Sequence, residues 1–377
     1  MFQSLSDFLS SIDGLINHLN YEKSCQVYFQ TGAKKYTGEH SLEVEFRSFL
    51  AEKISPALTD SKVYSYKNGI ISLYGFLERY VEDIIIEFLR GICELSLDYK
   101  SLPQEIRKNH LDASLDHINK LKKLRGMSAD YRQSSLTEAV KNMHNCLVEA
   151  QEYALNYDAF VSHTSNFRYD SIHEIFTRIG IHGISRSCLD DAGLAEALSR
   201  KHSPTGTLEK KILISLLMSE LDNLAQRRNE IAHGVRIDEI ESLDMLQERI
   251  EIIRRYGLAI HSIVFSRLNS YAYQSARKID LGRPYKVYGG IRVLEFQRFF
   301  PAEIPEECAK ISVGDKVFAI NENSSTDVIC GSIVSIRNHD GNVDFLEAPH
   351  NSSFSIRVDF KTNSHVRKRM VFVGVEA

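Results

Sequence analysis

The chain has few cysteines, and none is placed to work with another. The six, Cys25, Cys93, Cys146, Cys188, Cys308 and Cys330, are scattered over 377 residues with no Cys-x-x-Cys pair. A zinc site of the usual ligand spacing is thereby excluded. A disulfide framework is not expected in a chain of this size without an export signal. The start, Met1-Phe2-Gln3-Ser4-Leu5-Ser6-Asp7, lacks the basic region of such a signal. Buried free thiols are the expected state. Long apolar runs are also missing. Ile84-Ile85-Ile86 is broken by charge within a few residues, far short of the roughly 18 apolar residues that a membrane span needs. A cytoplasmic protein with no membrane contact is the expectation.

Other absences narrow the chemistry. There is no Gly-rich phosphate loop of the Walker type and no Gly-x-Ser-x-Gly elbow. Among the 14 histidines, His110 with His117 and His144 with Cys146 are the pairs worth weighing as ligands. Neither has the His-Glu-x-x-His form or a second cluster at ligand spacing, so no metal and no cofactor are expected. A metal-dependent DNA nuclease would need an acidic cluster that the chain lacks. The formal charge is -4 and no tail is strongly basic, so any nucleic-acid contact must rest on local positive charge. There is no internal repeat and no low-complexity linker.

What is present is ordinary globular material, 43% apolar and 25% charged, long enough for two or three domains. Residues 1–20 carry Phe2, Leu5, Phe8, Leu9, Ile12, Leu15 and Ile16 at helical spacing. Residues 21–65, with Pro56, give mixed signals and stay open. Ile70, Leu73, Leu77, Val81, Ile84 and Phe88 predict a long helix from about Tyr66 to Leu89. Pro103 begins another. Lys120, Lys122, Lys123 and Arg125 fit a solvated helix face better than an RNA track. A helix over 134–156 is followed by the connector His163-Thr164-Ser165-Asn166 and a short helix over 170–179 that Gly180 stops. Pro204 and Gly206 break the chain. A strongly apolar helix then runs from Leu208 to the Arg228 region, Gly234 marks its exit, and Ser242 caps a last helix.

After about residue 275 the pattern turns to β-branched and alternating runs. These are 287–294, 316–320, 328–336, 354–360 and 370–375, separated by turns such as Asn338-His339-Asp340-Gly341-Asn342 and Asn351-Ser352-Ser353. They predict a small antiparallel β domain, a barrel or sandwich of five or more strands. Gly289-Gly290 reads as a bulge. From residue 281 onward 12 Lys or Arg balance 12 Asp or Glu. The basic run His365-Val366-Arg367-Lys368-Arg369 precedes the last strand, where a solvated loop or edge protection is its plainer reading.

The end of the apolar helix is unusually polar: Gln226-Arg227-Arg228-Asn229-Glu230-Ile231-Ala232-His233-Gly234. Five residues separate Arg228 from His233, which puts them about 140° apart on a continuing helix. A change of backbone path at Gly234 would bring them to one pocket. Arginine offers a fixed fork of donors to a phosphate, and histidine exchanges a proton near neutral pH. Those two functions suffice for metal-free RNA cleavage, with a base for the ribose 2′-OH and a cation for the charged phosphorane. The same residues also fit an ordinary helix C-terminus, where cations suit the helix dipole.

The segment resembles the signature of the HEPN superfamily: an arginine, a polar residue, three to five further residues, then a histidine. Here those are Arg228, Asn229, the run Glu230-Ile231-Ala232, and His233. Ser165-Asn166-Phe167 with 172–180 is similar to an inter-helix segment of a bacterial branch associated with phage defence and toxins. The run from Leu73 to Val81, with Glu78 inside it, is similar to the first long HEPN helix. The resemblance covers residues 60 to 270.

The resemblance implies a helical bundle that pairs as a homodimer with a composite cleft, and a metal-independent endoribonuclease. By it, His233 handles the proton, Arg228 holds the scissile phosphate and Asn229 orients one of them. Glu78 is a candidate to position Arg228, and Arg227 a candidate substrate contact. The expected architecture is α+β and multidomain: an N-terminal helical extension over 1–60, a HEPN helical domain over 61–272, and the β domain over 280–377. The expected partners are RNA, a second copy, and an antitoxin or defence-system partner. The competing expectation is a non-catalytic HEPN scaffold that dimerises and recruits a partner protein.

Overall fold

A computed structural model describes residues 3–35, 41–96, 98–123, 128–148, 152–163, 166–202, 208–235, 240–298, 310–321, 324–348, 350, 352–362 and 366–375. Pro204 and Gly206, Thr164 and Ser165, Arg125, Cys308, Asn351 and His365 lie outside the described residues.

Helical periodicity dominates up to residue 275. Helix α1 (Gln3–Lys35) buries Leu5, Phe8, Ile12, Leu15 and Leu19 on one stripe and extends well past the expected residue 20. Helix α2 (Ser41–Phe49) passes through a wider π-helical stretch, Leu50–Ile54, into α3 (Ser55–Leu95). The Ser55 N–H reaches back five residues, to the Leu50 carbonyl. Pro56 follows at once, where the i→i−4 ladder is already interrupted, so its missing N–H breaks nothing further. On α3 the residues Ile70, Leu73, Leu77, Val81, Ile84 and Phe88 are all buried.

Pro103 precedes α4 (Gln104–Lys123), and Ser128 caps α5 (Ala129–Leu147) through a Tyr131 N–H to Oγ bond of 3.3 Å. The expected helix over 134–156 ends early because Asn156 is drawn into a buried polar network. Its Nδ2 donates to Ser114 Oγ and to the Ala139 carbonyl, both at 3.0 Å, and its backbone N–H donates to His110 Nε2 at 3.1 Å. Short helices α6 (Tyr157–Val161), α7 (Tyr169–Thr177), α8 (Ile184–Cys188) and α9 (Ala192–His202) follow. Then come α10 (Lys210–Ala232) and α11 (Leu243–Ser275), the latter capped by Ser242 Oγ accepting the Met245 N–H at 3.2 Å.

A buried ionic cluster ties α9, α10 and α11 together. Glu220 meets Lys201 Nζ at 2.6 Å, His202 Nε2 at 3.0 Å and Arg249 Nη1 at 3.0 Å, and Arg249 also pairs with Glu241 at 2.5 Å. Burial alone would raise the Glu220 carboxyl, but Arg249, Lys201 and His202 outweigh it and hold the group below its ordinary value.

The chain divides into two compact units. Residues 1–90 with 98–263 form the first, and 91–97 with 264–377 form the second. Among its described residues the second unit carries ten strands: β1 (Arg277–Gly282), β2 (Lys286–Tyr288), β3 (Val293–Phe296), β4 (Lys310–Ser312), β5 (Lys316–Asn321), β6 (Ser324–Asn338), β7 (Gly341–Val343), β8 (Phe345–Glu347), β9 (Phe354–Val358) and β10 (Met370–Val375). All pairings are antiparallel, in the order β1-β10-β5-β6-β9-β3-β2, with β7 on β6 and with β4 and β8 as a separate pair. Inward residues of both halves, among them Ile279, Val317, Ile336, Ile356 and Val373, share one core.

Of the expected barrel or sandwich, the barrel does not form, because the sheet is open among the described residues. Closure would require β1 to pair with β2. The Gly282 N–H is instead taken by Asp280 Oδ1 at 2.7 Å, where the register of β1 already shifts, and Pro284 has no N–H to offer. The single run expected over 287–294 is two strands. Gly289–Ile291 forms a 3₁₀ turn between β2 and β3, not a bulge. The basic run before β10 is also a 3₁₀ turn, with Val366 buried and Arg367 and Lys368 exposed.

Candidate functional site

Helix α10 ends in a Schellman turn, and the signature lies across it. The Val235 N–H bonds the Glu230 carbonyl at 2.9 Å and the Gly234 N–H bonds the Ile231 carbonyl at 3.1 Å. Gly234 has φ +69°, a left-handed conformation that disfavours any side chain. His233 is the helix cap, still bonded through its own N–H to the Asn229 carbonyl at 2.9 Å. The backbone is therefore helical from Arg228 through Ala232 and turns only after His233.

That geometry sends the two signature side chains to different surroundings. His233 is exposed at the helix end, whereas Arg228 is half-buried. The Arg228 guanidinium carbon sits 4.9 Å from the Tyr74 ring centroid, and its Nη1 donates to Asn229 Oδ1 at 3.1 Å. Arg228 and His233 share no hydrogen bond among the described residues.

Glu78 stands one step behind this contact. No ion pair joins it to Arg228 among the described residues. It accepts the Tyr74 hydroxyl at Oε1, 3.1 Å away, and the same hydroxyl accepts the Phe167 N–H at 2.9 Å. Burial pushes the Tyr74 phenol up to about 12. Glu78 adds to the rise, while the Phe167 N–H and Arg228 oppose it. Glu78 also lies 3.9 Å from His163 Nε2, which bonds Glu82 Oε1 at 3.1 Å.

Arg227 points elsewhere. Its Nε donates to Asn223 Oδ1 at 3.3 Å and lies 4.0 Å from Glu241, and its guanidinium covers Tyr66 at 6.0 Å. Gln226 bridges Arg168 and Glu230, at 3.1 and 2.9 Å. The structure thus brings Arg228, Asn229 and, through Tyr74, Glu78 together. It places Arg227 in a separate cluster and His233 at the solvent edge.

Sequence reasoning missed Tyr74, which joins three of these parts. One signal could have found it: Tyr74 lies four residues before Glu78, on the same face of α3. His163, Phe167 and Arg168 follow α6 in a connector whose packing no local pattern encodes.

One member of each candidate ligand pair, His110 and Cys146, is engaged by the protein itself. Both ring nitrogens of His110 face protein partners, the Asn156 N–H at Nε2 and the Tyr99 hydroxyl at Nδ1. The Cys146 thiol donates to the Ala154 carbonyl. Among the described residues, no group of three or more His, Cys, Asp or Glu is placed to hold a metal ion, and no helix is long and apolar enough to cross a membrane.

A family model described as RiboL-PSP-HEPN matches residues 41–265, a span that takes in Tyr74, Glu78 and the whole Arg228–His233 segment. The chain belongs to this HEPN family. No curated protein and no solved structure matches it. The HEPN domain is helical, as the first unit is, and the open antiparallel sheet lies C-terminal to the match. HEPN families generally include RNases, and HEPN domains often bind RNA and dimerise.

Proposed function

We propose that this HEPN protein is a metal-independent endoribonuclease whose cleft is completed by a second copy. The observation that carries the reading is the placement of Arg228: a guanidinium over the Tyr74 ring and bonded to Asn229, on the helix that ends at an exposed His233. In the proposed reaction His233 removes the proton from a ribose 2′-OH. The 2′-oxygen attacks the adjacent phosphorus, and Arg228 stabilises the charge on the phosphorane. The bond from phosphorus to the 5′-oxygen breaks. That oxygen takes a proton from an imidazolium, which in a two-copy cleft is the partner's His233. The products are a 2′,3′-cyclic phosphate and a 5′-hydroxyl.

The different surroundings of Arg228 and His233 within one copy favour the two-copy cleft, because no hydrogen bond joins the two side chains among the described residues. Glu78 and Tyr74 act as positioning residues. Arg227, tied to Asn223 and near Glu241, is a weaker candidate for the substrate. Restraint by an antitoxin or another defence-system partner, in the cytoplasm of a bacterium, completes the proposal as a toxin or anti-phage effector.

Purified protein incubated with total RNA in EDTA tests this, beside His233→Ala. Cutting by the wild type alone supports the enzyme. Cutting that requires Mg²⁺, or that persists in the variant, overturns the mechanism. No cutting of any RNA, with dimers formed normally, favours the scaffold reading in its place.

A further inference from the structure

The second unit has a hollow on the outer face of its sheet, and two arginines rise from the floor. Strand β9 alternates inward Phe354, Ile356 and Val358 with outward Ser355 and Arg357. Arg357 is flanked by Val293 on β3 and Ser335 on β6. Arg337 on β6 is flanked by Ser355 on β9 and Asn342 on β7. Small neighbours around two long cations leave a depression of about 520 Å³, walled by Tyr288, Ile291 and His339.

Three observations set this face apart from a plain solvated one. First, Arg337 and Arg357 are diagonal neighbours on adjacent strands, where like charges repel. No carboxylate lies within ion-pair distance of either among the described residues. Glu295 is on the same face, but it accepts the Tyr288 hydroxyl at 3.0 Å and sits opposite Lys286, while Asp340 lies 3.1 Å from His339. Second, Ile291 is 63% exposed beside the half-open ring of Tyr288. Third, the turn that presents Ile291 contains Arg292 at φ +56°, the one non-glycine residue with positive φ among the described residues. That strained residue is pinned by its carbonyl accepting the Val358 N–H at 3.0 Å and by Nη1 donating to the Asp359 carbonyl at 2.7 Å.

We propose that this hollow is a second, non-catalytic nucleotide-binding site. It takes adjacent phosphates of single-stranded RNA on Arg337 and Arg357, with a base against Tyr288 and Ile291. Guanidinium forks suit phosphate oxygens, and a flat aromatic-apolar wall accepts any base. The site is independent of the chemistry at Arg228 and His233.

The test uses the full chain and a fluorescent single-stranded 2′-O-methyl oligoribonucleotide, which 2′-OH attack cannot cut. Anisotropy titrations compare the wild type with Arg337→Ser/Arg357→Ser and with Tyr288→Ala, each checked by thermal melting for an intact fold. Removing both arginines is expected to weaken binding at least about tenfold. It should also lower the slope of log affinity against log salt by about 1.4, the value for two phosphates on a single strand. Tyr288→Ala should weaken binding and leave the slope unchanged. A parallel titration with adenosine monophosphate separates the sources: arginine-dependent binding of the oligonucleotide alone assigns a strand, and equal binding of the monophosphate assigns a free nucleotide. Should the double serine variant bind both probes as the wild type does, or the wild type bind neither, the proposal is wrong.

Discussion

Arg228 is shared between a neighbour on its own helix, Asn229, and a ring from another, Tyr74. The guanidinium reaches both at once with a fixed fork of donors, where lysine offers a point charge on a flexible stem. Arg228→Lys therefore keeps the charge and loses the geometry, and RNA cleavage is expected to fall by about 100-fold. Tyr74 separates ring from hydroxyl. Tyr74→Phe keeps the ring beneath Arg228 but leaves the Phe167 N–H without its acceptor, so it should lower stability by about 1–3 kcal/mol while cleavage persists. Tyr74→Leu removes the ring as well and should lower kcat. Equal kcat for the two variants would contradict the role given to the ring.

His110 makes a prediction of another kind. Burial lowers its imidazole to about 4, from an ordinary value of about 6.5. The fold thus favours the neutral ring, which accepts the Asn156 N–H. The unfolded chain binds the proton more readily between those two values. The stabilisation is therefore complete above about pH 6.5 and is lost as pH falls toward 4. Between pH 7 and pH 5 the loss is on the order of 2 kcal/mol. His110→Gln retains an acceptor and does not titrate. Urea midpoints at the two pH values should fall less for this variant than for the wild type, and equal falls would remove His110 as the cause.

At the scale of elements, helices approach closely where a glycine allows it. The Tyr80 hydroxyl donates to the Gly257 carbonyl at 2.8 Å, and Phe8 of α1 stacks on Tyr80 with centroids 4.5 Å apart. A Cβ at Gly257 would come within 2.4 Å of Phe8 Cε1. Phe8 is buried and clamped by that stack, so it has little room to give. Gly257→Ala is expected to destabilise the first unit by about 1–3 kcal/mol in urea unfolding, and an unchanged midpoint would show that α1 simply shifts.

Long periodic helices such as α3, α10 and α11 were legible in the sequence because their apolar stripes report directly on a buried face. So were the cap at Ser242 and the exit at Gly234. Residues 21–65 were not, because Pro56 signals a break that the π-helical stretch absorbs. The end of α5 was misplaced because Asn156 answers to distant partners on α4 and α5 rather than to local propensity. The motif Arg228-Asn229-x-x-x-His233 was legible as a pattern. Its support by Tyr74 was not, since the contact joins two helices more than a hundred residues apart in the chain.

At the scale of the molecule, β strands with strict alternation, such as β9, could be read, while three-residue strands such as β4, β7 and β8 carry too little pattern to stand out. Openness of the sheet depended on Asp280, Gly282 and Pro284, single residues at one edge. The proposed two-copy cleft has a consequence for the whole protein. Cleavage per molecule should rise with protein concentration across the range in which sedimentation shows monomers becoming dimers. Constant specific activity across that range would mean that one copy holds a complete site.

Chemistry at Arg228 and His233 fixes the ends of the RNA fragments, and those ends test it most directly. In EDTA, fragments made by the wild-type protein should carry 2′,3′-cyclic phosphates and 5′-hydroxyls, and His233→Ala should make none. Fragments bearing 5′-phosphates, or the same cyclic ends from the His233→Ala protein, would contradict the account.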